Sequence, residues 1–132
     1  MTLDSVIDKE FTPVDKDMEL SQMVHAMSKS HSDVLPVLDP AGNILGEVDL
    51  AKIRHIVFRT ELYHRFRVSQ LMEPVKATVR LGDPMEDVMA AFEKNEVQHL
   101  PVLDKDGHLF GYVFKSHLYS QYRQMVADLS NE

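Results

Sequence analysis

Leu35-Pro36-Val37-Leu38-Asp39 returns letter for letter as Leu100-Pro101-Val102-Leu103-Asp104, an offset of 65 positions. Sliding the chain over itself by that offset, without a gap, also matches Val14 to Val79, Ala26 to Ala91, Lys29 to Lys94, Gly42 to Gly107, Gly46 to Gly111 and Val48 to Val113. The chain therefore reads as a tandem duplication. Glycines at matching turn positions argue for a shared backbone, because such sites need conformations that other residues resist.

Working outward from the repeated phrase, Val34 to Leu38 is an apolar run of strand length, Asp39 to Asn43 has the residues of a turn, and Ile44 to Val48 returns as the second arm of a hairpin. Upstream, a short strand is expected around Thr12 to Asp15. Asp17 is then placed to cap a helix whose Leu20, Met23, Val24 and Met27 fall on one face. Downstream, a helix from about Leu50 turns Ile53, Ile56 and Val57 inward and continues through Phe58, Leu62 and Tyr63 as the connector between copies. Met1 to Phe11 is an opening segment with Val6, Ile7 and Phe11 available to pack.

The second copy repeats the plan. Val68 to Met72 reads as a helical turn before Pro74, and Ala77 to Arg80 as the strand matching Thr12 to Asp15. Asp83-Pro84-Met85-Glu86 offers a capping Asp, a Pro at the first helical position and a Glu placed for a capping box. Met85, Val88, Met89 and Phe92 form the helix face; His99 to Leu103 and Leu109 to Phe114 form the second hairpin. The last helix presents Leu118, Tyr122, Met125, Val126 and Leu129 on one side. Each unit reads strand, helix, strand, strand, helix, with the first spanning residues 1–66 and the second 67–132.

A unit of about 60 residues is near the lower limit for an independent core, so the two are expected to bury their faces on each other. With 44% apolar and 27% charged residues, the chain reads as globular and soluble. No apolar run is long enough to span a bilayer and no signal-peptide core is present. The absence of cysteine removes disulfides, thiolate nucleophiles and cysteine-ligated metals. A formal charge of -7 argues against binding nucleic acid, which draws its affinity from clustered cations. The local exception runs from Lys52 to Arg67, where Lys52, Arg54, Arg59, Arg65 and Arg67 face only Glu61. It reads either as a solvated helix face or as a docking surface for an acidic partner or a phosphate. The histidines show no pair at helical metal-ligand spacing, and no phosphate loop or nucleophile elbow appears, so neither a metal site nor an enzyme is expected.

The gapless duplication, with its LPV-hydrophobic-Asp hairpin followed by Gly-x-hydrophobic, resembles the cystathionine-beta-synthase (CBS) domain. That resemblance implies an α/β (α+β) fold of two tandem β-α-β-β-α units about a pseudo-twofold axis, paired again as a homodimer. It also implies clefts that take an adenosine nucleotide (ATP, ADP or AMP), with no cofactor required. Carried over by position, the candidate ligand contacts are Pro13, Val14, Leu35, Pro36, Val37, Asp49 and Lys52 in the first copy. In the second they are Thr78, Val79, His99, Leu100, Pro101, Val102, Phe114 and His117. The family's Gly-x-hydrophobic-Ser/Thr-x-x-Asp pattern is altered in both copies. The first reads Gly46-Glu47-Val48-Asp49-Leu50-Ala51-Lys52 and the second Gly111-Tyr112-Val113-Phe114-Lys115-Ser116-His117, so neither keeps the ribose-binding acid. Losing one charge-assisted hydrogen bond costs about 1.5–3 kcal/mol per site.

The connector, from Ile53-Arg54-His55-Ile56-Val57-Phe58 through Glu61-Leu62-Tyr63 to Val68-Ser69-Gln70-Leu71-Met72, is similar to that of cytosolic CBS pairs in bacterial ClC-family chloride channels and transporters. So is the opening Val6-Ile7-Asp8-Lys9-Glu10-Phe11. This implies a regulatory and dimerisation module on the cytoplasmic face of the inner membrane, itself soluble and not membrane-inserted. It further implies that Met1 is an addition and that an N-terminal membrane domain of the parent protein is the partner. An adenosine-sensing module of another transporter or enzyme, and a purely structural dimerisation domain, are the alternatives.

Overall fold

A computed structural model describes residues 3–131, so the expectation about Met1 falls outside the described residues. The chain folds into two compact units, one of them discontinuous: residues 10–75 form the first, and residues 1–9 with 76–132 form the second. The fold is mixed α+β, as the residue pattern requires.

In the first unit, β1 (Val34–Leu38) pairs antiparallel with β2 (Ile44–Asp49), and Val14 adds a single parallel bridge to Val37. The expected strand over Thr12 to Asp15 shrinks to that bridge, because Pro13 has no N–H and the chain turns away at Asp15, whose carboxylate accepts from Asp17 N at 2.7 Å. Helix α1 (Leu20–Met27) buries Leu20 and Met23 completely. Its N-cap is Glu19, not Asp17, with the Gln22 side chain accepting from Glu19 N at 2.9 Å. The connecting helix is much shorter than expected. Helix α2 covers only Arg54–Val57, and a 3-10 turn follows at Thr60–Leu62. The break comes at Phe58 and Arg59, where Tyr63 Oη donates to the Val57 carbonyl at 2.8 Å, leaving Phe58 78% exposed. Helix α3 (Val68–Leu71) completes this unit and buries Val68.

In the second unit, β3 (Val79–Arg80) runs parallel to β4 (His99–Leu103), which pairs antiparallel with β5 (Leu109–Phe114). Helix α4 (Met85–Asn95) buries Met85, Val88 and Phe92. Pro84 occupies its N-cap rather than the first helical position, because the Asp83 carboxylate turns back to accept from Arg80 N at 2.9 Å. Helix α5 (Lys115–Ser130) buries only Leu118; Tyr122, Val126 and Leu129, expected on its packed face, are exposed. The helix runs past the core that would have covered them.

The opening segment does not pack where the sequence order suggests. Leu3 and Val6 belong to the core that contains Val88, Phe92 and Leu100, whereas Val68 belongs to the core of Leu20, Leu35 and Val48. Asp8 bridges Tyr112, and Glu73 bridges Glu47, the same contact at the repeat offset. Two of the matched glycines explain this. Gly42 and Gly107 sit in the hairpin turns at φ 92° and 85°. Gly46 and Gly111 lie inside strands and serve close approach instead: a Cβ there would come within 2.7 Å of the Glu73 carbonyl and 2.6 Å of the Asp8 carbonyl. Gly46→Ala and Gly111→Ala should each lose about 1–3 kcal/mol of stability, read as a lower denaturant midpoint at unchanged slope. Either variant matching the parent would remove close approach as the reason for these glycines.

Candidate functional site

The first-copy candidates split between core and surface. Leu35 and Val37 are fully buried and Val14 nearly so, which leaves mainly their backbone groups for any ligand. Pro36 O is already taken, accepting from Val14 N at 2.9 Å. Asp49 closes β2 and accepts from Ala51 N at 3.0 Å. Lys52 donates to both oxygens of Glu73, at 2.9 and 3.2 Å, and this hydrogen bond, with the charge of Glu73 and then of Asp49, raises its pKa. An incoming phosphate would therefore have to displace a carboxylate from Lys52. Pro13 lines a hollow of about 550 Å³ beside α1, shared with Met18, His25 and Lys29.

The second-copy candidates are differently built. Leu100 and Val102 are core, as is Val79. Pro101 is buried opposite Tyr112 in the ladder, whereas Thr78 is exposed just before β3. His99 and Phe114 face each other across the β4–β5 ladder. Their rings join Tyr112 in an aromatic group, with His99–Tyr112 centroids at 5.8 Å, His99–Phe114 at 6.5 Å and Tyr112–Phe114 stacked at 6.1 Å. His117 is exposed in the first turn of α5. At the repeat offset the first copy carries Val34, Glu47 and Asp49 in place of these three rings. The copies share a backbone and differ in the chemistry of this strand face. Tyr112 was not among the sequence candidates, although its alternation with Phe114 along β5 was the available signal.

Both hairpin turns are held by an aspartate. Asp39 accepts from Ala41 N and Asn43 N, each at 2.9 Å, and Asp104 accepts from Asp106 N at 2.9 Å and His108 N at 3.0 Å. Asp104, Asp106 and His108 also bring their side-chain ligand atoms within 4.8 Å of one another. Both turn carboxyls are held below the usual value, Asp39 chiefly by the Asn43 side chain and Asp104 chiefly by His108 N–H. A depressed folded pKa adds stability that is present above the unfolded pKa of about 3.9 and lost as pH falls through the folded value. The doubly substituted Asp39→Asn, Asp104→Asn protein should thus lose less of its thermal midpoint between about pH 5 and pH 2 than the parent. Parallel decline of the two proteins would mean that these carboxylates do not hold the turns.

The CBS domain family model matches residues 68–122. The fold is that of a CBS-domain pair. A CBS domain-containing protein of unknown function from Bacillus anthracis superposes with a TM-score of 0.80 over 94% of each chain at 16% identity. An uncharacterized protein of Methanocaldococcus jannaschii is 25% identical over 115 residues, and its crystal structure gives a TM-score of 0.79 over 99% of this chain and 67% of that one. The chain spans about half the length, 52%, of that curated relative. The Arabidopsis thaliana CBS-pair protein CBSX2, solved with AMP, gives 0.72 at 20% identity over 94% of this chain and 97% of that one. The cytosolic domain of the Mg2+ channel MgtE, solved with ATP, gives 0.73 at 21% identity over 90% of this chain and 48% of that one. These matches do not single out a ClC parent. Among the described residues, no helix is long and apolar enough to cross a membrane.

Proposed function

We propose that this CBS pair is a regulatory module that binds an adenosine ligand and acts by biasing the packing of a partner domain. The observation that carries the reading is the aromatic group of His99, Tyr112 and Phe114 on a CBS-pair fold: Tyr112 is buried and backs the half-buried rings of His99 and Phe114, and His117 is exposed in the first turn of the helix that follows β5. The rings of His99 and Phe114 offer stacking area to a purine at little entropic cost, and the exposed His117 offers a ring N–H donor to a phosphate. The altered ribose position is compatible with a weak ligand of this class, and the related CBS pairs solved with AMP and ATP support the class. The second copy is the favoured half, because Lys52 in the first is already held by Glu73. A ligand shifts the module only by binding two packings unequally.

Calorimetric titration with AMP, ADP and ATP should show saturation at about millimolar ligand or below. Phe114→Ala and His117→Ala are each expected to weaken binding roughly tenfold while the thermal midpoint stays in place. Absence of a saturable signal at millimolar nucleotide would discard the ligand reading.

A transport protein is the second reading for the parent, favoured by the MgtE cytosolic domain and the soluble part of a magnesium transporter among the matching folds. The ClC channel is its narrower form, with the module at the cytoplasmic face and joined to a membrane domain. Multiple apolar spans in the upstream reading frame support it, and a catalytic domain there refutes it. Homodimerisation belongs to the same proposal: sedimentation should give a concentration-dependent dimer, and monomer at every concentration would reject it.

A further inference from the structure

Where the end of α1 meets the start of β1 and the turn of α2, the unit of residues 10–75 contains a second hollow, of about 280 Å³. None of the positions carried over from the family lines it. Its apolar lining is Met27, Leu50 and Val57, with the exposed ring of Phe58 beside them. Two opposite charges line the same space, Arg54 and Asp33. Among the described residues neither side chain has an ion-pair or hydrogen-bond partner, and the two do not pair with each other. The neighbouring serines are committed, Ser30 Oγ donating to Ser32 O at 2.8 Å and Ser32 Oγ to Val34 O at 3.2 Å.

A simple anion placed here meets the Asp33 carboxylate, and a simple cation meets the Arg54 guanidinium. Both side chains are exposed, and a molecule carrying both charges pairs with both at once, while the apolar lining favours a hydrophobic substituent beside the charged groups. The volume lies at the small end of ligand pockets, which start near 300 Å³, so a compact ligand fits better than a nucleotide. We propose that this hollow binds an apolar α-amino acid. Its carboxylate pairs with Arg54, its ammonium with Asp33, and its side chain rests on Met27, Leu50, Val57 and Phe58. The site is independent of the adenosine reading, since no residue is shared.

The test is calorimetry on the intact chain with L-phenylalanine and L-leucine. Two analogues accompany them: 3-phenylpropionate, which lacks the ammonium, and phenethylamine, which lacks the carboxylate. Saturable binding of the amino acids is expected, with both analogues and both variants, Arg54→Gln and Asp33→Asn, at least about tenfold weaker. AMP binding should be unchanged in the two variants. No saturation by about 10 mM amino acid would overturn the proposal. So would an analogue, or inorganic phosphate, binding as tightly as phenylalanine, a comparison on the parent protein that holds even if a variant fails to fold.

Discussion

Two backbone contacts hold the rest of this structure in place: the Glu73 carbonyl against Gly46 and the Asp8 carbonyl against Gly111. Each brings in the segment that precedes the other copy in sequence. With them come Val68 into one core and Leu3 and Val6 into the other, at nearly zero exposure. A 60-residue unit has too little interior to discard such residues. The polypeptide therefore changes unit between residues 9 and 10 and again between residues 75 and 76, so neither core is assembled from one uninterrupted copy. A methyl group at either glycine would push out the strand segment that delivers these side chains.

The duplicated backbone is conserved between the copies more strictly than what the backbone displays. Both hairpins carry a bulge before the turn, and both turns are held by an aspartate that accepts backbone N–H groups. On the strand face the copies part company. One carries three rings, the other a valine and two acids. The first copy also places a Lys52–Glu73 pair beside Asp49. At 59% and 51% exposure that pair adds little stability, and its larger effect is to keep the cation engaged.

Legibility of the sequence followed the range of the forces involved. The hairpins were readable to within one residue, β2 running on to Asp49, because alternation, turn aspartates and glycines act over a few positions. Helix faces were readable where a core lay opposite them, as for Leu20, Met23, Val88 and Phe92. They misled where it did not: Tyr122, Val126 and Leu129 have helical spacing, yet α5 outruns the core. Phe58 failed similarly, since the Tyr63 hydroxyl takes the Val57 carbonyl and the helix stops before the ring can turn inward. Asp33 and Arg54 carry no motif at all. They are 21 positions apart and meet at one hollow only because Leu50 N is bonded to Asp33 O at 2.8 Å, which fixes the start of α2 beside the start of β1.

The sequence by itself determined the duplication, the two hairpins, the absence of cysteine chemistry and the different residues that follow β2 and β5 in the two copies, because each is written in residue identity or in spacing along a short stretch. The tertiary structure decided which opening segment completes which core, which cations are already paired, and which side chains share a hollow. Those outcomes depend on distances between residues far apart in the chain, and a periodic pattern records the face a residue occupies without recording what stands opposite it.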